Sequence, residues 1–318
     1  MMTRYEKAAQ TILNKCVDLK RDEAVLILVT EPLLDVADIL FQACAKRTNK
    51  AHLLQLSHLT PLDMICPPVA QLMRAMNVIF AVTSPSLSHT NARRQACHAG
   101  ARVVSIPNIN LNIFSRIANT NFDKISNRSK KLADILSMAS EVHLTAPNGT
   151  DLIIPIKDRQ GYSDTGVVDT PGAFSNLPAG EACIAPDDCR TRGQLVVDSG
   201  MGVNPKDQER VTIIIKEGRA VRISGGAAAR KLSQHLSQYG SDSRLVAEFG
   251  IGTNDSAHIS GYAPEDEKVL GTAHVALGNN VSFGGTNDVP LHLDAVVYKS
   301  TVEINSKIIL NKGALAIE

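Results

Sequence analysis

The alternation of hydrophobic and polar positions gives the chain two textures. Through residue 139, helical and strand patterns alternate with short connections, the order that builds a parallel α/β layer. Apolar residues recur at helical spacing across 3–19 (Ala8, Ile12, Leu13, Cys16, Val17), the stripe of an amphipathic helix. The run AVLILV at 24–29 is apolar without alternation, which fits a strand buried on both faces. Helices over 33–46, 69–76 and 90–99 interleave with strands over 51–56, 77–83 and 102–106, and an amphipathic helix follows near 122–138.

Beyond that helix the pattern changes. Segments 141–146 and 151–155 flank PNGT, 211–216 and 219–223 flank Glu217-Gly218, and 301–304 and 307–310 flank Asn305-Ser306. Each is a hairpin signal. With one helix near 227–239, this half reads as mostly antiparallel β. The pattern predicts an α/β protein, with a parallel α/β domain over 1–139 followed by a β-rich, metal-binding catalytic domain over 140–318. A chain of 318 residues has room for two cores.

Composition narrows the partners. At 44% hydrophobic and 20% charged residues the chain reads as an ordinary soluble globular protein. A net charge of +1 with no long Lys/Arg run argues against nucleic acid, which demands a concentrated basic face. The N-terminal residues lack a signal-peptide core, and no apolar run reaches the ~20 residues of a membrane span. Six cysteines without a CxxC pair read as reduced core or loop thiols, so a cytoplasmic location is expected. Trp is absent and aromatics are only 4%, which argues against aromatic stacking as the main recognition device.

Candidate chemistry concentrates in GTAHVALGNNVSFGGTNDVPLHLDAVV at 271–297, where His274, His292 and Asp294 lie among glycines. On an extended strand, residues two apart share a face, so His292 and Asp294 project together. Three further clusters lie upstream. In NLPAGEACIAP, Glu181 enters an apolar strand and needs a partner there. In AEFGIGTN, Glu248 precedes two glycines that let backbone approach a ligand closely. In EDEKVLGTAH, the acidic triplet 265–267 taken alone is most simply a solvated loop, and His274 taken alone a hydrogen-bonded core histidine. Together two Glu, two His and one Asp exceed one tetrahedral site. They suit two adjacent divalent ions sharing a carboxylate, the arrangement of metal-assisted hydrolysis. No dinucleotide fingerprint or P-loop occurs.

These motifs, NLPAGE followed by IAP, AEFGIGTN, E-x-K-x-x-G-T-A-H and H-x-D, resemble in order the aminopeptidase T family of metalloaminopeptidases. SHT-x-AR at 88–93, GARVVSIPN at 100–108 and PNGTDL at 147–152 extend the likeness through most of the chain. The resemblance implies two divalent ions (Zn, Co or Mn) on Glu181, Glu248, His274, His292 and Asp294, with one of the glutamates, Glu181 or Glu248, as general base. It also implies a homodimer, and cleavage of an amide in a small molecule or short peptide by a metal-activated water. The chain departs from that family after His274, where Ala276-Leu277-Gly278-Asn279-Asn280 has no Tyr and only an Asn can donate to an oxyanion. The connection from His274 to His292 is also short.

A second resemblance is to the 2,5-dihydroxypyridine 5,6-dioxygenases, which use Fe(II) on a facial triad of two His and one carboxylate. It rests on H-L-D at 292–294 and on Gly278-Asn279 followed by Gly284-Gly285. This alternative implies a ring-cleaving dioxygenase, with a loop histidine, His89, reaching the substrate. His89 reads equally as a helix neighbour bonded to backbone. Ligand identity at 181 and 248 favours the hydrolase reading, with the dioxygenase as its alternative.

Overall fold

The computed structural model describes residues 2–57, 65–204 and 210–316, and it has the expected mixed α/β class, with one parallel sheet and two large, mainly antiparallel ones. The chain forms two compact units: the first comprises 1–126 and 164–179, the second 127–163 and 180–318. Among the described residues no helix is long and apolar enough to cross a membrane.

The first unit is built on a five-stranded sheet in the order Ala51–Leu56, Val25–Thr30, Val78–Val82, Arg102–Ser105 and Phe174–Asn176. Its registered pairs are all parallel. Val25–Thr30 is buried along its whole length, as its unbroken apolar run predicts. Leu26, Leu28, Ile79, Ala81 and Val103 pack with Met73 and Ala96 from the helices Pro67–Arg74 and Asn91–His98. Each fully buried Leu or Ile contributes about 1.5–3 kcal/mol.

Two expectations are corrected in this unit. The helix predicted over 3–19 is Arg4–Thr11, closed at its start by a Thr3/Glu6 capping box, and it widens into a π turn over Ile12–Cys16. The single boundary at 139 is replaced by several crossings, because Phe174–Asn176 pairs in parallel beside Arg102–Ser105. A three-residue edge strand carries too little periodicity to be read from the sequence.

In the second unit the three predicted hairpins all form. They lie in an eight-stranded sheet ordered 219–224, 211–216, 192–197, 151–155, 141–145, 301–304, 307–311 and 314–315. A six-stranded sheet runs 199–200, 292–297, 273–278, 246–252, 181–184 and 161–164. One apolar cluster joins the two sheets, with Val142, Leu152, Leu195 and Ile213 from the first and Ile184, Phe249, Ile251, Val275, Leu277 and Val297 from the second. Strand side chains alternate between faces. The six-stranded sheet therefore gives one face to this core and leaves its other face for Glu181, Glu248, His274, His292 and Asp294.

Candidate metal centre

Strand register brings the five predicted ligands together. Gly252 pairs with Glu181, Gly250 with both Cys183 and His274, Glu248 with Ala276, Ala276 with Asp294, and Gly278 with His292. Directly paired residues project to the same face, so one face of four neighbouring strands carries all five side chains. A bulge between Val246 and Glu248 shifts the register there and aims Glu248 into the row. The glycines at 250 and 252 lie inside the strand Val246–Gly252, not in a loop after it. A Cβ on Gly250 would stand 2.1 Å from His274 Nε2 and 2.3 Å from its Cε1. The missing side chain is the space in which the His274 ring lies.

The polar groups form one continuous row. Lys268 Nζ lies 2.8 Å from Glu267 Oε1 and 2.6 Å from Glu181 Oε1. Glu181 Oε2 lies 3.1 Å from His274 Nε2, which is 3.6 Å from Glu248 Oε1. The other oxygen of Glu248 is 3.0 Å from His292 Nε2, itself 3.5 Å from Asp294 Oδ1. Glu248, His274 and Lys268 are almost wholly buried, while Asp294 keeps 18% of its side chain exposed.

Buried charges in contact shift one another. Burial alone lowers the pKa of His274, but hydrogen bonds and charge from Glu181 and Glu248 outweigh it and push it up to about 10. Burial likewise opposes protonation of His292, and Asp294 and Glu248 overcome it, raising the value well above the usual range. Burial raises Glu248, yet the two imidazoles hold it well below the ordinary carboxylate range. Asp294 follows the same balance, burial being outweighed by His292. Glu267 goes the other way, to about 8, through burial and then the Asp294 charge, against Lys268.

Two sets of potential ligand atoms converge here: Glu181, Glu248 and His274, and Glu248, His292 and Asp294. Imidazole and carboxylate donors of this kind suit divalent cations. The two sets are unequally prepared. His292 Nδ1 is 2.8 Å from the Asn279 carbonyl, which accepts its proton and leaves Nε2 facing the carboxylates. His274 Nδ1 has no hydrogen-bond partner among the described residues. The imidazoles also stand on opposite oxygens of Glu248, so no single set contains both histidines with Asp294.

Several participants escaped the sequence reading. The triplet at 265–267 is not a solvated loop: Glu265, Asp266 and Glu267 are all buried. Asp266 accepts from the backbone of Ser260 and Gly261 and from Tyr298 Oη at 3.2 Å, while Glu267 is held by Lys268. A run of like charges looks solvated in sequence because partners distant along the chain are invisible there. Lys268 carried a signal, since the apolar Val269-Leu270 follows it directly. Cys183 sits across from Gly250 and its thiol bonds to Glu248; burial, then Glu248 and Glu181, keeps it protonated. The Asn side chains at 279 and 280 brace the following loop, Asn279 on Asp288 and the Val289 carbonyl and Asn280 on Asp188. His89 belongs to the first unit, before the helix Asn91–His98, and its carbonyl accepts from Arg94 Nη1 at 2.9 Å.

With this geometry in hand, comparison with known proteins distinguishes the two readings. The structure of 2,5-dihydroxypyridine dioxygenase from Pseudomonas putida KT2440 is similar at a TM-score of 0.83 and 17% identity, over 100% of this chain and 99% of that one. Wild-type AmpT from Thermus thermophilus is similar at 0.66 and 12% identity, over 99% of each chain. At such identities both likenesses speak for the fold alone. No curated protein sequence matches. The NicX model, 2,5-dihydroxypyridine 5,6-dioxygenase, matches residues 16–317.

That match overturns the expectation of a metallo-aminopeptidase hydrolase and supports its alternative. The expectation rested on counting Glu181 and Glu248 as free ligands of a hydrolytic pair of ions. One oxygen of Glu181 is engaged by the Lys268 ammonium, and ligand types alone do not choose between hydrolysis and oxygenation. The chain belongs to the 2,5-dihydroxypyridine 5,6-dioxygenase family.

Proposed function

We propose that this protein is an Fe(II)-dependent dioxygenase that opens the ring of a hydroxylated pyridine. The observation that carries the reading is the family match over residues 16–317. The donor set fits the metal: Glu248, His292 and Asp294 offer one imidazole nitrogen and carboxylate oxygens within 4.8 Å of one another. This is a carboxylate-richer version of the expected triad, and its harder donors suit a divalent first-row ion. Fe(II), when bound, supplies the redox chemistry by which dioxygen and an electron-rich ring react.

The chain's own groups prepare that chemistry. The Asn279 carbonyl fixes the His292 tautomer, so Nε2 is the nitrogen presented to the metal. Glu248 serves both sides of the row, with Oε2 toward His292 and Oε1 toward His274. His274 Nε2, between Glu181 and Glu248, holds its proton at neutral pH and balances the charge of the two carboxylates. Lys268 balances Glu181 from behind. His89 remains a candidate for contact with the substrate, and the homodimer implied by the peptidase resemblance remains a proposal for light scattering to test.

The test is oxygen uptake. Protein loaded anaerobically with Fe(II) and then given 2,5-dihydroxypyridine in air is expected to consume one O2 per ring, with loss of the ring's ultraviolet absorption. Failure to consume oxygen with this and other hydroxylated pyridines, in protein that retains its iron, rejects the reading.

A further inference from the structure

With no Trp and few aromatics, the chain has little material for recognising flat rings. Two of its aromatic side chains nevertheless gather beside a candidate metal ligand. Phe283 ends the short turn Val281–Phe283, and its ring centroid lies 5.8 Å from that of His292, inclined by 47°. Tyr162 meets Phe283 edge-on, at 6.2 Å and 66°. Both rings are part-exposed, Tyr162 at 37%, and neither belongs to the apolar core.

Phe283 is held in place by a polar frame. Arg159 donates to the Gly284 carbonyl at 3.3 Å and pairs with Asp188 at 3.5 Å. Asn280 donates to Asp188 at 3.1 Å and accepts from the Asn287 amide at 2.8 Å. Leaving part of an aromatic ring in water forgoes the stabilisation that its burial would bring. A braced turn that holds such a ring against a metal-binding imidazole therefore points to a ligand that completes the burial.

We propose that Phe283, backed by Tyr162, is the wall against which the substrate ring seats, and that Phe283 sets the affinity for it. The inference rests on the dioxygenase reading and adds the recognition chemistry: a planar hydroxylated aromatic ring, packed offset or edge-on against Phe283 while its hydroxyl side faces His292 and Asp294. A substrate without a flat ring gains nothing from this wall.

The test separates KM from kcat. In the Fe(II)-loaded protein, Phe283→Leu keeps bulk and apolarity but removes the ring, and is expected to raise KM for 2,5-dihydroxypyridine about tenfold with a much smaller change in kcat. Iron content stays at the wild-type level, and Phe283→Tyr restores KM. A KM within about twofold of wild type in Phe283→Leu, or iron lost in step with activity, overturns the proposal; the latter would make Phe283 a support for His292. If the wild-type protein consumes no oxygen with any hydroxypyridine, the dioxygenase reading fails separately. The aromatic wall is then decided by equilibrium dialysis of 3-hydroxypyridine onto the Zn(II)-loaded protein. About tenfold weaker binding in Phe283→Leu upholds it, whereas equal binding, or none to wild type, overturns it.

Discussion

Gly250 carries no functional group, yet the centre depends on what it lacks. Any Cβ there overlaps His274 Nε2 at 2.1 Å, and this ring is buried with nowhere to retreat. Gly250→Ala is expected to displace the imidazole, lowering activity at least about 100-fold and weakening metal binding, as misplacing a reacting group by about 1 Å does. Far-ultraviolet circular dichroism should stay unchanged, and iron analysis after dialysis is the check. The five converging side chains were legible by residue type and their glycine surroundings as candidates; the Gly250 gap was not, because its reason lies on the neighbouring strand.

The same row of charges predicts a pH dependence. In the metal-free protein both imidazoles have raised pKa values, His274 to about 10, so at neutral pH they hold protons, and an ion held by Glu248, His292 and Asp294 must displace the one on His292. Metal affinity therefore increases with pH up to these values and falls below them. Calorimetry in buffers of different ionisation enthalpy is expected to find at least one proton released per ion at pH 7. Binding that is flat between pH 6 and 9 would contradict this. The linked effect on the metal-free fold has the opposite sense. The His274 contribution is full below its unfolded value of 6.5 and is lost as pH rises through about 10, so chelated protein loses stability toward alkaline pH.

At the scale of elements, the loop between the strands Ala273–Gly278 and His292–Val297 decides how well the centre is held. Asn280 is fully buried and makes two of its bonds, to the Asn287 amide and Asp188. Asn280→Ala removes both bonds, leaves the Asn287 amide without this acceptor and is expected to cost about 1–3 kcal/mol in urea unfolding. Hydrogen exchange over 281–291 should accelerate while the strand Val246–Gly252, buried at every residue, stays protected. Regular elements were legible wherever periodicity was strong: the buried run 25–30, the three hairpins and the helix Ala227–Ser237. The loop was not, since its order comes from Asn side chains bonding to backbone, which leave no period. The buried acids at 265–267 were missed for the same reason, their partners being Lys268, Tyr298 and backbone amides.

At the scale of the whole chain, the class and the sequence of α/β then β-rich regions followed from hydrophobic pattern, whereas the reaction did not. The strand bearing His292 and Asp294 serves a hydrolase and an oxygenase equally, and reading Glu181 as a free ligand tipped the balance wrongly while Lys268 went unassigned. The family match corrects the activity. The origin of the oxygen atoms in the product tests this most directly. Fe(II)-loaded protein given 2,5-dihydroxypyridine under 18O2 is predicted to place both labelled atoms in the ring-opened product. A product labelled only from 18O-water, formed without oxygen consumption, would contradict the account and return the site to hydrolysis.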